Sequence, residues 1–253
     1  MFNCFVDIWD NYNDYHHAVD TEDYKQNTNI IGRENLKLST IITLLVIFFG
    51  ISAILGIIVA LMTGWAVFWL GLICYFVGVF YAAGPKPLSS LPVGEFASGL
   101  TMGYLIFLIV VYINTSNQFV WNWTTIGSTF LVALPSILLI ANLMLANNTC
   151  DLDEDEANHR YTIVHYIKRS GALTWWKSAI IISFLAIIVA VILGQIPWTM
   201  LIIVVLIPFV IKEAKPYLAK QIKRETFIHS VKILMVFSLV QTVLMYIGLI
   251  FTK

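Results

Sequence analysis

The chain has 253 residues, of which 59% are hydrophobic and 12% charged, against about 25% charged in an ordinary soluble domain; its mean hydropathy is +0.82. That composition excludes a soluble globular domain. Fifteen Lys and Arg balance fifteen Asp and Glu, so the net charge of zero offers no general basic surface for nucleic acid, and Cys4, Cys74 and Cys150 lack the spacing of a disulfide framework or a zinc site.

The N-terminus has no basic stretch followed by an uninterrupted apolar core, so no cleavable signal peptide is read there. Residues 1–9 instead look like the last turns of an apolar helix entering a polar loop. Asn3, Asp7, Asp10 and Asp14 are spaced 4, 3 and 4, which places them on one helical face. Like charges at that spacing repel unless a cation neutralises them.

Seven apolar runs follow, at 41–62, 66–83, 93–113, 126–146, 178–193, 197–211 and 233–251. Each is read as a membrane-spanning helix, for which roughly 20 apolar residues are needed. The fifth and sixth are short, and Gly194-Gln195-Ile196-Pro197 between them predicts a tight turn joining antiparallel helices. With seven spans the connections alternate sides. Fourteen of the fifteen Lys and Arg, from Lys25 to Lys232, then fall on one side and only Lys253 on the other. This asymmetry makes the charged side cytoplasmic and the protein a multi-pass cell-membrane protein. The connection at 114–125, with Trp121 and Trp123, is uncharged and aromatic, as expected of a membrane interface. Trp175-Trp176 is read as part of such an interfacial belt.

Between the second and third runs stands Tyr81-Ala82-Ala83-Gly84-Pro85-Lys86-Pro87, followed by Gly94-Glu95. The Gly-Pro-Lys-Pro turn ends a helix sharply and presents Lys86 on the cytoplasmic side. Lys86 is either an anchoring lysine or a cation offered to the nearby acids. Glu95 suits the N-terminal end of the next helix dipole. After the fourth run, Asn147, Asp151 and Asp155 repeat the four-residue spacing, with Asn142 and Asn148 as further polar groups and Arg160 five residues on.

Eleven of the fifteen carboxylates thus lie in two short cytoplasmic segments. Glu22, Asp23, Glu154 and Glu156 read as solvated interface charges. Asp10, Asp14, Asp151 and Asp155 are periodic and abut apolar helices, so they read as metal ligands. Oxygen donors favour Mg²⁺ or Ca²⁺, and Mg²⁺ is commonly shared between one or two carboxylates and substrate phosphates. Two such sets can clasp a diphosphate through bridging metals, with Arg160 on the phosphate oxygens. Lys168 and Arg169 read as membrane anchors. The five histidines offer no H-x-x-x-H pair, and no G-x-x-x-x-G-K-[ST] or G-x-S-x-G motif occurs.

These residues resemble the UbiA superfamily of intramembrane aromatic prenyltransferases, and most closely its 1,4-dihydroxy-2-naphthoate polyprenyltransferase (menaquinone) branch. Asn147-Asn148-Thr149-Cys150-Asp151-Leu152-Asp153-Glu154-Asp155, with Arg160 and Thr162, looks like that branch's N-N-x-x-D-x-x-x-D followed by a basic residue and Thr. Asp10-Asn11-Tyr12-Asn13-Asp14-Tyr15 with Val19-Asp20 looks like the first motif. The 81–95 segment is similar to the stretch between the two motifs. Asp10 stands where the family often has Asn, and His159 and Lys168 where it often has Gly.

The resemblance implies an all-α bundle with nine transmembrane helices. Residues 1–253 are then a single membrane-embedded prenyltransferase domain carrying seven full spans, without helix 1 and most of helix 2. It further implies transfer of a polyprenyl group from polyprenyl diphosphate to an aromatic acceptor, 1,4-dihydroxy-2-naphthoate, giving demethylmenaquinone with loss of CO₂. In that scheme Asp10, Asp14, Asp151 and Asp155 hold Mg²⁺, Arg160, Asn147 and Asn148 bind the diphosphate, Lys86 or Tyr81 contacts the acidic acceptor, and Glu95 or Asp7 accepts a proton. The prenyl tail lies between helices, open to the lipid bilayer. A UbiA-type enzyme with another aromatic acceptor is the alternative; a divalent-cation transporter is a different class and predicts acids in mid-span.

Overall fold

The computed structural model describes residues 1–17, 29–116 and 118–251. Asp20, Glu22, Asp23, Lys25 and Lys253, with Val19 of the first motif, lie outside the described residues. Helices account for the regular structure: α1 (Phe2–His17), α2 (Ile30–Arg33), α3 (Leu38–Thr63), α4 (Trp65–Ala82), α5 (Gly94–Thr115), α6 (Trp123–Cys150), α7 (Leu152–Ala157), α8 (Ile163–Ile192), α9 (Ile207–Ala219) and α10 (Phe227–Phe251). Among the described residues α3, α4, α5, α6, α8 and α10 are long and apolar enough to cross a membrane. Their outward faces carry large apolar side chains, including Leu61, Met62, Phe76, Ile192 and Met235. Water does not drive such faces inward when lipid is the solvent.

The count is therefore six helices rather than seven, and the difference lies in the sixth predicted run. Residues Trp198–Leu206 form a 3₁₀ segment that continues into α9, whose second residue is Pro208. The 3₁₀ geometry ends at Leu206, and Pro208 sits in the first turn of α9, where its missing N–H would have had no partner within the helix. At about 2.0 Å per 3₁₀ residue and 1.5 Å per α residue, the composite reaches about 38 Å, beyond the roughly 30 Å hydrocarbon core. The alternation of sides is thereby preserved. The fifth run also begins earlier than predicted: helix starts at Ile163, is kinked at Lys168, whose φ of 60° and ψ of 167° are not helical, and resumes to Ile192.

The main core lies between α6, α8, the 3₁₀ segment, α9 and α10, around Ala146, Val164, Trp176, Met200 and Phe237. Trp176 is 2% exposed and its ring lies 5.0 Å from that of Tyr217, so it belongs to this core. Only Trp175, half exposed, fits the predicted belt. The turn after α8 places Gly194 at φ 67°, the left-handed region where glycine carries no Cβ penalty.

Two close approaches fix the elements that carry the site. On α5, Gly99 and Gly103 lie in a π-helical stretch against α6; a Cβ on Gly103 would stand 2.6 Å from the Ile137 backbone. On α4, a Cβ on Gly78 would stand 2.6 Å from the Phe2 ring of α1. Trp9 of α1 donates its indole N–H to the Val79 carbonyl at 3.1 Å. Thus α1 is clamped to α4, α5 to α6, and the 150–162 connection follows α6 directly.

Candidate active site

The acidic segments meet at the end of the bundle where α1, α4 and α6 finish and α5 and α8 begin. Arg160 joins them: its Nη1 lies 3.4 Å from Asp14 Oδ1 and its Nε 3.3 Å from Asp155 Oδ1. Its own N–H donates to the Asp155 carbonyl at 2.8 Å, and the next residue, Tyr161, donates to Ser90 O at 3.0 Å. That second bond ties the Gly-Pro-Lys-Pro loop to the second acidic segment. The three parts enclose a cleft of about 470 Å³ lined by Asp14, Lys86, Asp155, His159, Arg160 and Tyr161, among others.

One turn back along α1, Asp10 and Asp7 line a smaller chamber of about 190 Å³. Tyr81 and Ser98 share its wall, and Phe2, Val77, Met102 and Met144 make it largely apolar. Tyr81 lies within electrostatic reach of Asp10, Glu95 and Arg160. Glu95 itself is buried; its Oε1 accepts from Asn148 Nδ2 at 2.7 Å, while Oε2 has no hydrogen-bond partner. The Asn148 amide is therefore committed to Glu95.

Asp151 is drawn elsewhere. Its Oδ2 accepts from Asn147 Nδ2 at 3.1 Å and from Lys223 Nζ, which also donates to Asn147 Oδ1. Among the described residues no three His, Cys, Asp or Glu side chains converge as a metal cluster; Asp14 and Asp155 face the cleft, Asp10 the chamber, and Asp151 faces Lys223. The donor set nonetheless fits a hard divalent cation. It consists of oxygens, and the buried Asp155 Oδ2 has no hydrogen-bond partner.

Burial dominates the carboxyl electrostatics. The Asp155 carboxyl is pushed up to about 7 by desolvation, against the pull of Arg160. Asp10 is pushed up to about 6, by desolvation first and then by the Asp14 charge. Both sit where a bound cation would favour the ionised form.

A model of the UbiA prenyltransferase family matches residues 2–249. The chain belongs to the UbiA prenyltransferase family. Over 204 residues it is 28% identical to the 1,4-dihydroxy-2-naphthoate octaprenyltransferase of Bacillus subtilis (strain 168), covering 78% of this chain and 63% of that protein. The chain thus spans less than two thirds of that relative's length. No solved structure matches it. Family membership and six apolar helices make the protein a multi-pass membrane protein.

Several neighbours of the site escape sequence reasoning. Lys223 counts only as one cation among fourteen until the fold sets it on Asp151, 72 residues away. Ser90 and Tyr161 carry no motif signal; a backbone bond alone joins them. His159 is marked in the sequence only as a departure from Gly, and it lines the cleft with φ 56°.

Proposed function

We propose that this UbiA family member transfers a polyprenyl group from its diphosphate to an aromatic acceptor, and that the acceptor is 1,4-dihydroxy-2-naphthoate. The observation that carries this reading is the Arg160 bridge between Asp14 and Asp155, which brings two acidic segments 146 residues apart to one cleft beside Lys86. The B. subtilis relative's name supports the choice of acceptor.

In this reading Asp10, Asp14, Asp151 and Asp155 would hold Mg²⁺, which when bound would neutralise charge developing on the leaving diphosphate. Arg160 and Lys86 supply fixed positive charge in the cleft, where phosphate oxygens are held and aligned. The allylic C–O bond breaks with both electrons leaving on the diphosphate. The ring carbon that bears the acceptor carboxylate then bonds to the allylic carbon, and its bond to the carboxylate breaks, releasing CO₂ with the bonding pair returned to the ring and giving demethylmenaquinone at the quinol level. The apolar walls of the chamber beside Asp10 keep water from the allylic cation. Tyr81, at that wall, contacts the acceptor, and Asp7 or Glu95 takes up the phenolic proton as the ring attacks and returns it as CO₂ leaves. Lipid surrounds the tail. The site faces the cytoplasm, as the fourteen-to-one distribution of Lys and Arg supports.

The test is prenyl transfer in membranes supplied with Mg²⁺, polyprenyl diphosphate and dihydroxynaphthoate. Asp151→Ala is expected to lower turnover by about 10²-fold or more, the order lost when one electrostatic stabiliser is removed. Chelation should abolish product. Undiminished product from Asp151→Ala, or in excess chelator, refutes the assignment.

A further inference from the structure

Lys223 has a role that the proposed chemistry does not yet use. It lies in the connection between α9 and α10, where Ile222 N–H donates to Thr226 Oγ1 at 2.8 Å and Thr226 N–H to Ile222 O at 2.8 Å, so the backbone beside it is held. Its side chain is 46% exposed. The ammonium reaches across to Asp151 Oδ2 and Asn147 Oδ1 together. It also stands 5.7 Å from the centroid of the Phe227 ring, within cation–π range. Asp10 and Asp155 both lie within its electrostatic reach. A long, half-solvated stem on a fixed backbone thus places one movable charge on the oxygens of the second acidic motif.

We propose that Lys223 is a resident counter-cation: it occupies Asn147 and Asp151 while no divalent ion is bound, yields them to the ion, and turns its charge to the phosphate oxygens that arrive with it. This rests on the metal and diphosphate reading above. An ammonium and a divalent cation compete for the same anionic oxygens, so Lys223 both stabilises the empty site and lowers its apparent metal affinity. Because the pair is partly exposed, its displacement is a modest penalty. Lys223 is accordingly a positioning residue in the empty state and a phosphate ligand in the filled one.

The test uses the full chain in lipid nanodiscs, with Mn²⁺ as the probe ion, read by the electron paramagnetic resonance signal of free Mn²⁺. Lys223→Gln is expected to bind Mn²⁺ about three- to tenfold more tightly than the unmodified chain, whereas Lys223→Arg, which keeps the charge, should stay within about twofold. With Mn²⁺ saturating, inorganic pyrophosphate should bind Lys223→Gln about three- to tenfold more weakly. A merely structural loss would loosen the ligands and weaken Mn²⁺ binding, the opposite sign. Mn²⁺ affinity unchanged or reduced in Lys223→Gln, or pyrophosphate affinity unchanged, overturns the proposal. If Asp151→Asn then still weakens Mn²⁺ binding, the metal reading survives that failure. If the unmodified chain binds no Mn²⁺, both fall.

Discussion

Asp155 is buried against Arg160, and burial outweighs the pairing, holding its carboxyl at about 7. Its ordinary value is 3.8, so the folded, metal-free chain keeps this proton more tightly than the unfolded chain does. Stability from this group is present below the unfolded value and is lost as pH rises toward 7. A divalent cation at Asp155 must displace the proton below pH 7. The Mg²⁺ concentration for half-maximal transfer should therefore rise about tenfold from pH 8 to pH 6, following the ionised fraction of one carboxyl. A half-saturation that stays flat over that interval would remove Asp155 from the ligand set. His159 and Lys168 present a different residue-scale conflict: each stands where the family often has Gly, and their φ angles are 56° and 60°. A side chain in that region costs about 1–2 kcal/mol. His159→Gly and Lys168→Gly should each raise the thermal midpoint by about 2–4 °C, measured by unfolding in detergent. A fall at both positions would contradict the strain.

At the scale of elements, the contact of α5 with α6 decides where Glu95 sits. Gly99 and Gly103 let the helices approach until Glu95 meets Asn148, the use of small residues common between helices in lipid. Gly103→Ala puts a methyl 2.6 Å from the Ile137 backbone, which must shift at about 1–3 kcal/mol. The expected outcome is a lower thermal midpoint together with lower activity, because Glu95 is carried away from Asn148. Gly127→Ala, on the same α6 with open space around its added methyl, should do neither. Gly99 and Gly103 gain their meaning only from the fold: nothing in α6 marks Ile137 as the residue approached. Likewise the apolar run at 197–211 was legible as a crossing, while its division into a 3₁₀ segment ending at Leu206 and an α-helix beginning at Ile207 was not. Trp176 shows the same limit, since an aromatic at an apolar boundary suits a lipid interface or a core equally well until Tyr217 is seen against it.

At the scale of the whole molecule, six apolar helices and the 198–219 composite alternate so that both acidic segments reach one end. The proposed sidedness predicts the labelling of single cysteines in a background without Cys4, Cys74 and Cys150. Thr115→Cys should react with a membrane-impermeant thiol reagent on intact cells, and Glu154→Cys only after lysis. The reverse pattern would turn the protein over in the membrane. Membrane class, most crossings and the two acidic sets follow from the sequence alone, because lipid selects uninterrupted apolar runs, positive charge collects on one side, and helical periodicity collects carboxylates on one face. The pairings were decided only by the tertiary structure: Arg160 between Asp14 and Asp155, Asn148 on Glu95, Lys223 on Asp151. Each joins residues whose separation along the chain carries no information about their separation in space. The packing of α1 on α4 and of α5 on α6 supplies that distance, and with it the division of the carboxylates between a polar cleft, an apolar chamber and a lysine.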